Sequence, residues 1–155
     1  MRRKEREISD YNIMLTIADK CDCIRLGFVD GEDAYIVPLN FGCENKDGHM
    51  IIYCHGAKDG KKAGLIKLNG RASFEMDTKH ELVEADRACG YSYLYQSVMG
   101  KGEIGFVEEY KEKIHALEII MNHYSDNRDW KFDEKAVNST AVIKLSVKEW
   151  TAKEH

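Results

Sequence analysis

Six stretches of this chain read as short strands, several with residues repeating at a period of two, and that pattern limits the fold more than any other feature. Ile24, Leu26 and Phe28 share one face and end at the Asp30-Gly31 turn. Tyr35, Val37, Leu39 and Phe41 alternate with Ile36, Pro38 and Asn40, and the Asn45–Gly48 turn closes a hairpin onto His49–Cys54. Ala72, Phe74 and Met76 mark a fourth strand, a long strand runs from about Tyr93 past residue 100, and Ala141, Ile143, Leu145 and Val147 mark the last. Consecutive hairpins do not make βαβ units. The expected fold is therefore mainly β with peripheral helices: a small, mostly antiparallel barrel of six strands.

Helical spacing appears between the strands. Ser9 or Asp10 can cap a helix in which Ile13/Ile17 and Met14/Ala18 stand four apart. Leu65, Ile66 and Leu68 predict a short helix stopped by Asn69-Gly70. Tyr110, Ile114, Leu117, Met121 and Tyr124 predict a helix over 108–123, and Asp133 starts a helical turn. Residues 79–90 are polar and show no clear period. One proline, no repeat and no low-complexity linker give a single domain over residues 1–155.

The formal charge of -4 argues against a partner recognised by phosphate neutralisation, so no nucleic acid is expected. No apolar run is long enough for a membrane span. The basic start Arg2-Arg3-Lys4-Glu5-Arg6 reads as a solvated terminus, and five cysteines without a C-x-x-C pair read as free thiols of a cytoplasmic protein. No metal site is expected, because the Cys and His residues lack ligand spacing. His115 and His123, eight apart, read as surface residues.

Two formal phosphate motifs fail. Gly56-Ala-Lys-Asp-Gly60-Lys-Lys62 is one residue short of a Walker A loop and lacks its Ser or Thr. Gly100-Lys-Gly102-Glu-Ile-Gly105 spells G-x-G-x-x-G but has no following parallel strand. These glycines read instead as bends, or as room for an aromatic neighbour. What remains is His55–Lys62, where two glycines free the backbone, Lys58, Lys61 and Lys62 bring positive charge, and a helix N-terminus follows. It reads equally as an anion loop or as a solvated turn.

The order of motifs resembles the FMN-binding split barrel of the pyridoxamine 5′-phosphate oxidase-like superfamily, and more closely its nitroimidazole-resistance (Nim) branch. The segments that carry it are Arg25-Leu26-Gly27, Ala34–Phe41, Ile52–Lys62, Ser73–Met76 and Gln96–Gly100. The resemblance implies FMN, with FAD left open, held at the interface of a homodimer. It implies Lys61 and Lys62 on the flavin phosphate, His55 and Gly56 beside phosphate and ring, and Val37, Pro38, Leu39, Asn40 and Phe41 bordering the isoalloxazine. It places Gln96, Ser97 and Val98 on the other side and Trp150 over the ring from the second subunit. It implies a reductase of nitro-aromatic or similar small substrates, fed by reduced nicotinamide or another donor. The rival readings are a non-catalytic flavin or haem carrier or sensor, and pyridoxamine 5′-phosphate oxidase chemistry. His55 is the candidate catalytic proton donor; its alternative role is a structural hydrogen bond to the phosphate.

Overall fold

Asp10 starts the first helix as its spacing predicts: its carboxylate accepts the backbone N–H groups of Asn12 and Ile13 at 2.9 and 3.0 Å. The structure, a computed structural model, describes residues 4–155, so Arg2 and Arg3 of the basic start lie outside the described residues. Its elements are β1 (Glu7–Ile8), α1 (Tyr11–Asp19), β2 (Ile24–Asp30), β3 (Asp33–Leu39), β4 (Phe41–Lys46) and β5 (His49–Gly56). They continue through α2 (Lys61–Asn69), β6 (Arg71–Val83), β7 (Ser92–Val107), α3 (Tyr110–Tyr124), α4 (Glu134–Ser139) and β8 (Ala141–Glu154).

All strand pairs are antiparallel, in the order β3-β2-β6-β7-β8-β5-β4, with β1 added to β8. The expected count of six becomes eight, and the hydrogen-bonded sheet does not close. Asn40 is the main cause. It divides the alternation of residues 35–41, so Leu39 pairs with Ile24 of β2 while Phe41 pairs with Cys54 of β5. The outermost strands β3 and β4 are thus joined through one residue. The sheet curls until its two edges meet at Asn40, and beyond that corner they separate.

The main core fills the curl, with Leu26, Phe41, Ile52, Cys54, Met76, Val98, Ile143 and Leu145 buried together. A second cluster of Ile51, Tyr53, Val107, Ala116, Ile120 and Val142 lies under α3. β5 is buried on both faces, which explains its unbroken apolar run. Gly42 lets α3 approach: a Cβ there would fall 2.6 Å from the Ile119 carbonyl oxygen.

The predicted α3 forms, but its buried face is Lys113, Ala116 and Ile120, whereas Tyr110, Met121 and Tyr124 stay substantially exposed. Small Ala116 suits the close contact with the sheet better than the larger residues of the expected stripe. Residues 79–83 extend β6 past an irregularity between Thr78 and Glu81, where Lys79 takes a φ of 59°. The G-x-G-x-x-G glycines serve β7 as bends and clearances. A Cβ on Gly100 would strike the Phe74 ring, and the β7–β8 register shifts between Lys101 and Gly102.

Candidate functional site

β5 ends at Gly56, and α2 begins five residues later without a side-chain cap on its first amides. Gly60, at φ 103°, makes this entry in a conformation that favours glycine. The side chain of Lys62 folds back so that its Nζ occupies the space a Cβ on Gly56 would need. Burial pulls the Lys62 pKa below its ordinary value. Cys54 is no counter-ion, because burial pushes its thiol up to about 12. No carboxylate pairs with Lys62 among the described residues. A half-buried ammonium and the uncapped amides of a nine-residue helix therefore meet at one strand end.

His55 precedes Gly56 and projects from the opposite face of β5, in step with Ile51 and Tyr53. It opens on a crevice of about 340 Å³ lined by Leu117, Ile120, Phe132 and Val137, with Lys131 and Asp133. Burial, then the Lys62 charge, holds the imidazole below its ordinary pKa. The ring is therefore mainly neutral at pH 7.

Lys61 points elsewhere. It forms an ion pair with Asp30, and its Nζ stands 5.3 Å from the centroid of the Tyr35 ring. Val37 and Leu39 pack partly against the main core, Pro38 lies opposite Arg25, and Asn40 is exposed at the sheet corner. Phe41 is fully buried; its N–H donates to the Tyr124 hydroxyl at 3.1 Å and its ring packs 4.5 Å from that of His123. The expectation of a surface His123 is corrected by this packing. Its side chain is 4% exposed, and its Nε2 lies 2.7 Å from the Cys21 carbonyl oxygen. His115 is half-exposed and pairs with Glu44 at 2.9 Å.

Gln96, Ser97 and Val98 lie opposite Thr78, Asp77 and Met76 on β6, and opposite Glu154, Lys153 and Ala152 on β8. Gln96 donates to Glu154 at 3.0 Å, and Val98 is fully buried. Val142 pairs with His55 on one side and with Val107 on the other. The run along β7 from Val98 to Val107 is about 30 Å at the ordinary rise per residue. One chain therefore does not bring Gln96–Val98 to Lys62. Trp150, opposite Gly100, packs edge-on against Tyr11 of its own chain with centroids 5.4 Å apart.

The pairing around Asp77 is not visible in the sequence. Arg25 donates to Glu75 at 2.9 Å and to Asp77 at 2.6 Å, and the His80 ring bonds the other Asp77 oxygen at 2.6 Å. Desolvation pushes Asp77 up, but the Arg25 and His80 hydrogen bonds outweigh it and leave the carboxyl below its ordinary value. The cross-strand partners of Glu75 and Asp77 lie far away in sequence, so local pattern does not show them. Asp30, which occupies Lys61, was likewise hidden in a turn.

A family model described as pyridoxamine 5′-phosphate oxidase matches residues 14–154. Among solved structures, the chain is similar to a candidate 5-nitroimidazole antibiotic resistance protein from Bacteroides thetaiotaomicron. They share 32% identity over 96% of this chain and 86% of that one, with a TM-score of 0.83. A flavocytochrome from Azotobacter vinelandii is 20% identical over 100% of this chain and 72% of its own, with a TM-score of 0.82. A FAD- and haem-binding protein from Mycobacterium smegmatis is 15% identical over 96% and 72%, with a TM-score of 0.81. The last two show likeness of fold. No curated protein matches the chain.

Proposed function

The chain belongs to the pyridoxamine 5′-phosphate oxidase family, and we propose that it binds FMN and reduces nitro-aromatic or similar small oxidised substrates. The observation that carries the flavin reading is Lys62, whose half-buried ammonium lies against Gly56 beside the uncapped start of α2. A phosphomonoester would supply the charge this position lacks. One unpartnered ammonium and one helix start suit a single terminal phosphate, which favours FMN over FAD. Lys61 is already paired with Asp30, so its share of the binding is smaller.

FMN, when bound, would supply the redox chemistry, with reduced nicotinamide as the electron donor. The chain's own residues bind and orient it. Gly56 keeps the strand end open for Lys62, and the backbone from Val37 to Phe41 would border the ring. His55 is a poor proton source in the free protein, because burial and Lys62 depress its pKa. A phosphate on Lys62 offsets that charge, the lesser of the two causes, and so raises the pKa of His55 and favours a proton on its imidazole.

The distance between Lys62 and Gln96–Val98 supports a homodimer in which a second copy supplies the latter strand. Exposed Val29, Ile36 and Met99, at 68%, 64% and 56% of their full area, suit such an interface. No helix among the described residues is long and apolar enough to cross a membrane; a cytoplasmic location completes the proposal. The resistance described for the Bacteroides protein suggests the nitro-aromatic substrate class.

The reductase reading is tested on the FMN-loaded full chain, reduced anaerobically and mixed with a nitroimidazole. Substrate-dependent reoxidation of the flavin is expected. Its absence, with FMN still bound, would replace the reductase by a carrier or sensor. The apolar crevice under a neutral His55 supports a second reading, haem binding, which a Soret band after reconstitution would establish.

A further inference from the structure

On the α3 side of the sheet, a second concentration of positive charge lies apart from Lys62. The end of β7, the start of β8, the loop after β5, the end of α2 and the first turns of α3 enclose a cleft of about 150 Å³. Lys58, Lys67 and Lys113 line it with Phe106, Val142 and one acid, Glu108. Lys113 is 8% exposed, the one charged residue among the described residues buried to this degree. It shares the buried face of α3 with Ala116 and Ile120. No side-chain nitrogen or oxygen among the described residues is both sealed and unpartnered, so its ammonium keeps access to solvent, and it does so at the cleft.

None of these three lysines forms an ion pair or side-chain hydrogen bond among the described residues. The Lys67 ammonium is 5.9 Å from the Phe106 ring centroid, which holds it at the cleft wall. Three cations face one carboxylate in a chain whose overall charge is -4. Three ammonium groups lining one small cleft repel one another, and an anion between them would offset that repulsion.

We propose that this cleft binds a phosphate-class oxyanion between Lys58, Lys67 and Lys113, as a second anion site distinct from the one at Lys62. The cleft is smaller than ordinary organic-ligand pockets, which start at about 300 Å³, so the group it takes is a tetrahedral ion or the exposed end of a larger molecule. Three rotatable ammonium donors suit phosphate as point charges. The inference does not depend on flavin binding: Lys62 and Gly56 are not among the cleft's lining residues.

The test is a backbone-amide NMR titration of the full chain with inorganic phosphate at constant ionic strength, repeated with ADP. Saturable shifts at Lys58, Val107, Glu108 and Lys113 are expected. Lys113→Met should weaken binding by about tenfold, the effect of losing one charged donor. The surface double variant Lys58→Ala/Lys67→Ala should weaken it as well, and Lys62→Ala should leave it intact. Tighter binding of ADP than of phosphate would make the ligand a nucleotide's terminal phosphate; equal or weaker binding would make it the free ion. Unsaturable shifts would overturn the proposal. So would shifts that survive both cleft variants, or that disappear only in Lys62→Ala.

Discussion

The two charged regions around Lys62 and around Asp77 use similar residues to opposite ends. Around Asp77, Arg25 bridges two carboxylates and His80 completes the second, so every charge meets an opposite one. At the end of β5, Lys62 is drawn out of water with no carboxylate beside it. The neighbouring Lys61 has both an acid and an aromatic ring. Charge that is satisfied within the chain contributes to the fold. Charge that is held and left uncompensated is available for a ligand, and this separates Lys62 from an ordinary surface lysine.

The contrast predicts unequal consequences. Lys62→Ala should weaken FMN binding by about 100-fold, the scale of a lost charge-assisted contact in a partly buried site. Titration of the apo-protein by flavin fluorescence quenching measures this, and unchanged affinity would erase the distinction between the two regions. Gly56→Ala comes next. The added Cβ displaces only the end of a flexible side chain, so circular dichroism should report an intact fold while FMN affinity drops by about tenfold.

The third expected effect is a titration shift. His55 should titrate below its ordinary 6.5 in the free protein and rise when FMN binds. Because the folded ring resists protonation, the stability it contributes is present above the unfolded pKa and lost as pH falls through the folded one. An NMR titration of the imidazole with and without FMN checks both directions; a midpoint that ignores FMN would remove His55 from the site.

The smallest effect should come from Arg25→Ala. Arg25 is exposed and its partners partly so, and such pairs contribute about 1 kcal/mol or less. Asp77 has a depressed pKa, so that contribution is present above the ordinary 3.8 and lost as the carboxyl protonates in acid. Urea denaturation at neutral and at acidic pH should show a small difference between variant and parent that fades in acid. A large loss at neutral pH would move structural importance to the Asp77 side.

Much of this was legible in local sequence. Asp10 marks the start of α1, and Gly70, at φ 60°, marks the end of α2. Asn40 was not legible, because the alternation from Tyr35 to Phe41 continues through it; only pairing with β2 and β5, distant in sequence, divides the strand. The face taken by His55 was hidden for a related reason. Both faces of β5 are apolar, so parity alone does not say which side lies inside. Lys61 and Lys62 are chemically identical in sequence, and it takes Asp30 and Gly56 to tell them apart. Lys113 falls on the buried face of α3, where helical spacing of apolar residues gives no reason to look for a cation.

The most direct test of the account compares FMN with riboflavin, the same ring without its phosphate, in titrations of the wild-type chain and of Lys62→Ala. One FMN per chain is expected, with riboflavin binding weaker by about 100-fold and a gap between the two that largely closes in the variant. Equal affinity of the wild type for both compounds, or no binding of either, would contradict it.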